Sequence, residues 1–159
     1  MMGLEIEKKF KIKPTILNRL HELPKAIIRQ GYLTKVPERT VRVRIKGNKG
    51  YLTVKGITKG IVRKEFEYEI PLEEAIDLLG LCEPYIIEKT RYTFFENNLE
   101  WELDVFEGNN SGLVIVEVEL PTENHPIELP DWIEEEVSDD PRYYNSYLSE
   151  KPFCEWKRT

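Results

Sequence analysis

The sequence predicts an α+β protein built on a closed eight-stranded antiparallel β-barrel, a tunnel with a charged interior and a few helices packed outside. Three observations lead there. Eight segments alternate in polarity with the two-residue period of a strand. Tight turn signals join several of them, which makes neighbours antiparallel. The polar row of most strands is built from charges, with little of the Thr, Ser and Gln usual on a wet face.

The strands are predicted at about 4–13, 27–34, 39–47, 50–56, 61–70, 86–95, 99–107 and 113–121. Lys46-Gly47-Asn48-Lys49-Gly50 separates the third from the fourth, and Thr58-Lys59-Gly60 the fourth from the fifth. Glu96-Asn97-Asn98 joins six to seven, and Gly108-Asn109-Asn110-Ser111-Gly112 joins seven to eight. Such Gly- and Asn-rich punctuation favours turns. Pro14 starts a helix through Leu20, with proline in its first turn. A second helix spans Leu72 to Leu79, with Gly80 expected at C′. Asp131 to Val137 is read as a short helix. Asp140-Pro141 is read as the N-cap and first turn of a helix through Leu148.

At 159 residues the chain reads as a single domain over 1–159, long enough for a substantial core. Charged residues make up 33%, above the usual quarter, so either the surface is dense in charge or charge lies inside. A net charge of −6 argues against general nucleic-acid binding. Cys82 and Cys154 lie far apart and form no metal-ligand spacing. A reduced, cytoplasmic setting is the natural reading. No signal-peptide h-region or membrane-spanning run is present, so no membrane partner is expected. With only His21 and His125, catalysis on a His pair is excluded as a working hypothesis.

The charged rows carry the chemistry. Glu5, Glu7 and Lys9 share one face of the first strand, while Ile6 and Phe10 share the other. The row continues in Arg42, Arg44 and Lys46, in Lys55, and in Arg63, Glu65 and Glu67. It ends in Lys89 and Arg91, Glu102 and Asp104, and Glu117 and Glu119. An open sheet with these charges in water is the plain alternative. Against it stand the segregation of cations and carboxylates by strand and too few helices to cover a large flat sheet. Residues two apart on a strand are roughly 6–7 Å apart. Two such carboxylates suit a hard, oxygen-loving cation, Mg²⁺ or Mn²⁺, which keeps waters and substrate phosphates. Zinc fits poorly without His or Cys ligands. Arg forks and Lys point charges suit phosphate oxygens, and a triphosphate needs several of them. Tyr143, Tyr144 and Tyr147 read as wall packing that could reach a tunnel mouth. No Gly-Lys-Ser/Thr phosphate loop exists.

Glu5-Ile6-Glu7-Lys8-Lys9 resembles the ExExK signature of the CYTH superfamily, the triphosphate tunnel metalloenzymes. The resemblance continues in order through Gln30-Gly31-Tyr32-Leu33, Arg42-Val43-Arg44, Thr53-Val54-Lys55-Gly56 and Arg63-Lys64-Glu65-Phe66-Glu67. It goes on through Glu88-Lys89-Thr90-Arg91-Tyr92, Glu102-Leu103-Asp104-Val105-Phe106, Val116-Glu117-Val118-Glu119, Glu135-Glu136-Val137-Ser138 and Arg142-Tyr143-Tyr144-Asn145. It implies an eight-stranded tunnel that hydrolyses a triphosphate with divalent metal. The catalytic set it implies is Glu5, Glu7, Lys9, Glu117 and Glu119. Metal would be held by Glu5, Glu7, Glu117 and Glu119, with Asp104 close by. Phosphates would be held by Lys9, Arg42, Arg44, Lys55, Lys89 and Arg91. Glu65, Glu67, Glu102 and Asp104 would support these groups.

The leading expectation is Mg²⁺- or Mn²⁺-dependent hydrolysis of inorganic tripolyphosphate to pyrophosphate and phosphate, by in-line attack of water. Nucleoside or thiamine triphosphate are alternative substrates. A class IV adenylate cyclase and a noncatalytic polyphosphate binder are the rivals from other classes. The oligomeric state, monomer or homodimer, stays open.

Overall fold

The computed structural model describes residues 3–156. Nine strands run as β1 (Leu4–Ile12), β2 (Lys25–Thr34), β3 (Thr40–Lys46), β4 (Lys49–Lys55), β5 (Val62–Ile70), β6 (Ile87–Glu96), β7 (Leu99–Phe106), β8 (Val114–Glu119) and β9 (Ile133–Glu136). Their order is β5-β4-β3-β2-β6-β7-β8-β1-β9, and a β5–β1 pairing closes the first eight into an antiparallel barrel. The helices are α1 (Leu72–Leu79) and the one-turn α2 (Asn145–Leu148).

Local chemistry explains the hairpins. Asn97 and Asn98 both have positive φ, as a two-residue turn between right-twisting strands requires. The segment predicted as the first helix is 3₁₀ over Pro14–Glu22, and it presses Ile16 onto the barrel.

Three expected details differ. Residues 131–137 are not a helix: Ile133–Glu136 forms β9 beside β1. β5 occupies one stretch of β1, from Leu4 to Ile6, and β9 pairs at Phe10 and Ile12 further along. Pairing this strand overrides the helix propensity of the glutamate run. The helix predicted from Asp140 is broken into a 3₁₀ turn, Pro141–Tyr143, and α2. Asp140 does cap the turn, accepting from Arg142 N at 3.1 Å. Tyr144 between the two is extended, which lets Tyr143 enter an apolar cluster while Tyr144 faces the tunnel. Gly80 ends α1 in a right-handed conformation (φ −64°), without the left-handed C′ geometry.

The apolar core lies mostly outside the barrel wall. Phe10, Phe94, Trp101, Leu103, Val116 and Val118 form the outer face of β1 and β6–β8, joined by Ile16 and Trp132. Trp101 is fully buried and stacks edge-on against Trp132, with ring centres 5.5 Å apart. α1 covers Val43 and Ile45 of β3 with Ala75 and Leu79. The inward rows of β6, β7 and β8 become apolar at one end, in Ile87, Phe106 and Ile115. Val137, Tyr143 and Leu148 pack there. Among the described residues no helix is long and apolar enough to cross a membrane.

α1 sits so close to β4 that a Cβ on Gly50 would lie 2.5 Å from the Ala75 Cβ. Gly50→Val is expected to cost about 1–3 kcal/mol by overpacking. Urea denaturation should show a lower midpoint with an unchanged slope; an unchanged midpoint would mean that α1 is free to shift.

Candidate functional site

Strand alternation and register assemble the inward charges around one cavity of about 360 Å³. Its wall includes Glu5, Glu7 and Lys9 of β1, Arg42, Arg44 and Lys46 of β3, and Lys55 of β4. Arg63, Glu65 and Glu67 of β5, Lys89 and Arg91 of β6, Glu102 of β7, and Glu117 and Glu119 of β8 complete it. Pairing sets the neighbours: Glu7 opposite Glu119, Lys9 opposite Glu117, Arg91 opposite Asp104, and Lys55 opposite Glu65.

Asp104 lies behind this wall. It is 1% exposed, and both its oxygens are taken. Lys89 Nζ reaches Oδ2 at 2.8 Å, while Arg91 donates Nε to Oδ1 at 2.8 Å and Nη2 to Oδ2 at 2.9 Å. Burial works against its charge, but these two cations outweigh it and lower its pKa. Arg91 also reaches Glu102 at 3.1 Å. Burial opposes the charge of Lys89 too and brings its pKa to about 7 despite Asp104.

The carboxyl groups sit in two hydrogen-bonded pairs, each with one pKa lowered and one raised: Glu5 with Glu65, and Glu117 with Glu7. Burial would raise Glu5, but Lys55, at 3.1 Å, and a hydrogen bond from Glu65 bring it to about 2. Glu65 is raised by burial and by Glu5. Glu7 is pushed well above its ordinary value by burial, then by Glu117 and Glu5, and its side chain is hydrogen-bonded to Glu117. Burial would raise Glu117 as well, but Lys9 and Arg91 hold it low. Glu119 is raised to about 7, chiefly by burial.

Among the described residues no three His, Cys, Asp or Glu side chains form a ready-made metal cage. The donor set still fits a hard divalent cation in its chemistry. It offers oxygen donors only, and burial and the neighbouring Glu117 and Glu5 oppose the charge on Glu7, which a cation there would relieve. Glu5, Glu7, Glu117 and Glu119 are the residues able to hold such an ion.

The cations are not fully matched. Arg44 is buried, has no carboxylate within ion-pair distance among the described residues, and donates Nε to Gln30 Oε1 at 2.8 Å. Burial, then Arg42 and Arg91, depress it to about 9, so it is charged at neutral pH. Arg42 gives Nη2 to Glu67 and Thr53, each at 3.1 Å, but its buried Nε has no acceptor.

Uncharged groups that the charge pattern does not single out complete the site: Gln30, Tyr32, Thr53, Ser138, Tyr144 and Asn145. The row Ile28-x-Gln30-x-Tyr32 on β2 is the signal for the first two. The C-terminal arm places the last three. Ser138 Oγ accepts from Lys9 N at 3.0 Å, the Lys9 ammonium lies 5.3 Å from the centre of the Tyr144 ring, and Asn145 accepts from Lys89. Tyr143, in contrast, packs against Trp156.

Comparison with known proteins agrees with this geometry. The CYTH domain profile matches residues 3–144. An inorganic triphosphatase of Acetivibrio thermocellus is 49% identical over 158 residues, 98% of this chain and 99% of that protein. One of Nitrosomonas europaea is 36% identical over 149 residues, 91% of this chain and 96% of that protein. The crystal structure of the inorganic triphosphatase NE1496 is 35% identical and superposes with a TM-score of 0.66, covering 91% of this chain and 93% of that one. Matched by the family profile over most of its length and by these relatives nearly end to end, the chain belongs to the CYTH domain family.

Proposed function

We propose that this protein hydrolyses inorganic tripolyphosphate to pyrophosphate and phosphate inside its tunnel, with Mg²⁺ or Mn²⁺. One observation carries the reading: among the described residues, Arg44 is buried beside Arg42 and Arg91 with no carboxylate partner, and Arg42 keeps an orphaned Nε. Such an enclosed cationic slot is costly unless an anion fills it. Relatives named inorganic triphosphatase over the whole length support the same reaction.

In this reading Arg42, Arg44, Lys55, Lys89, Arg91 and Lys9 bind the phosphate oxygens and stabilise charge moving onto the leaving group. Asp104 and Glu102 orient Lys89 and Arg91; the occupied oxygens of Asp104 favour this role over metal ligation. Glu65 and Glu67 orient Lys55 and Arg42. Glu5, Glu7, Glu117 and Glu119 would hold the divalent cation, which neutralises phosphate oxygens and activates water when bound. Below about pH 7, Glu119 gives up its proton to do so. The relatives at 49% and 36% identity, both named inorganic triphosphatase, favour the hydrolase over the cyclase.

Incubation with tripolyphosphate, ATP or thiamine triphosphate plus Mg²⁺ or Mn²⁺, followed by product identification, tests the proposal. Tripolyphosphate should give pyrophosphate and phosphate most efficiently. Cyclic AMP from ATP would replace the reading with a cyclase, and no turnover of any substrate with a binding module.

Glu7→Gln removes a charge that burial and the neighbouring carboxylates disfavour. A raised pKa means that ionising Glu7 costs stability as pH rises above the ordinary carboxylate value. The variant should therefore melt at or above the wild type at pH 8. Its turnover should fall about 100-fold or more through loss of a cation ligand. Near-normal rates would remove Glu7 from the ligand set.

Metal half-saturation should depend on pH in one direction. Because Glu119 holds its proton up to about pH 7, a cation competes with that proton below pH 7 and not above it. More Mg²⁺ should be needed at pH 6 than at pH 8, by roughly tenfold if one proton is displaced. A flat dependence in titrations of rate against Mg²⁺ would place the cation away from Glu119.

A further inference from the structure

The tunnel contains one polar connection that crosses from one bank of cations to another without using charge. Lys89 Nζ donates to Asn145 Oδ1 at 3.0 Å. Gln30 Nε2 donates to the same oxygen at 3.3 Å, and Gln30 Oε1 accepts from Arg44 Nε at 2.8 Å. Gln30 is 0% exposed and Lys89 1%. Gln30 stands on β2, between β3, which carries Arg44, and β6, which carries Lys89. Asn145 comes in from the C-terminal arm.

We propose that Gln30 and Asn145 are positioning residues. They form an uncharged amide bridge that fixes Lys89 and Arg44 at a set separation and aims their remaining donors at the bound polyphosphate. The inference rests on the anion-binding part of the proposed function.

An amide suits this place. Its carbonyl accepts from a cation as a carboxylate would, but it brings no negative charge to compete with the phosphates. Lys89 has three N–H donors. Asp104 takes one and Asn145 another, which leaves one. Arg44 has its Nε committed to Gln30, and its two terminal nitrogens have no acceptor among the described residues. The bridge therefore uses the donors that point into the wall and spares those next to the cavity. It also separates two like charges that would otherwise be free to drift.

Asn145 is the accessible member for a test, being only half-buried. In Asn145→Asp the acceptor stays and a charge is added. That carboxylate pairs with Lys89, so the substrate-free protein should melt at or above the wild type. Affinity for tripolyphosphate should nevertheless fall about tenfold or more. In Asn145→Ala the acceptor is lost. KM should rise about tenfold, the size expected for losing one hydrogen bond to a charged group, with a smaller change in kcat.

Binding is read by calorimetry on the full-length chain with tripolyphosphate and no added metal, and KM and kcat with Mg²⁺. A purely structural role would move melting temperature and affinity down together. That outcome, or wild-type affinity in both variants, overturns the bridge. Absence of binding by the wild-type chain overturns it as well. Binding by the wild type without hydrolysis overturns only the hydrolase reading.

Discussion

The clamp of Lys89 and Arg91 on Asp104 is the interaction on which the tunnel's charge arrangement turns. A carboxylate that is 1% exposed is tolerable only with both oxygens satisfied, and here two cations satisfy them. Fixing those cations on β6 has consequences on both sides. Arg91 reaches on to Glu102 and, at 4.0 Å, to Glu117. Lys89 reaches Asn145 and ties the C-terminal arm to the wall. Asp104 is thus consumed as an internal counter-ion. The remaining imbalance separates into two zones: Arg44 on β3, without an ion pair among the described residues, and carboxyl groups on β1, β5 and β8 with raised pKa values. A metal-loaded polyphosphate, with negative oxygens and a positive ion at short range, complements both zones at once.

The barrel and most of its lining are legible in the sequence because both depend on a period of two. Once Glu5, Glu7 and Lys9 are assigned to one face, alternation carries the inward row through later strands, and hairpin turns such as Asn97-Asn98 fix antiparallel neighbours. What alternation does not supply is partner identity. It gives Asp104 and Glu117 the same standing, yet the register puts Asp104 opposite Arg91 and Glu117 opposite Lys9. One becomes a buried counter-ion and the other a candidate ligand.

The C-terminal arm is the part that local chemistry misreads, for a physical reason. Glu134-Glu135-Glu136 has helical propensity, but β1 from Phe10 to Ile12 has backbone groups to pair, and the pairing of β9 there outweighs a few tenths of a kcal/mol per residue. Asp140 and Pro141 do start a turn, as a capping pattern should. The turn cannot continue as a helix, because Tyr143 and Tyr144 go to opposite environments, one apolar and one beside Lys9. Asn145, Ser138 and Tyr144 reach the cavity only through this irregular path.

The raised pKa values of Glu7, Glu65 and Glu119 connect the stability of the tunnel to its chemistry. Burial first, and then the neighbouring carboxylates, oppose the charge on these three groups. The positions that resist ionisation are those that gain most from a divalent cation, since one ion relieves desolvation and mutual repulsion together. The matching argument applies across the cavity, where Arg42 and Arg44 gain most from an anion. Neither compensation is complete alone. Among the described residues, a cation without phosphate leaves Arg44 without an anionic partner and the Arg42 Nε without an acceptor, and phosphate without a cation meets the carboxylates at close range. The physics therefore favours joint occupancy, with metal and polyphosphate each raising the other's affinity.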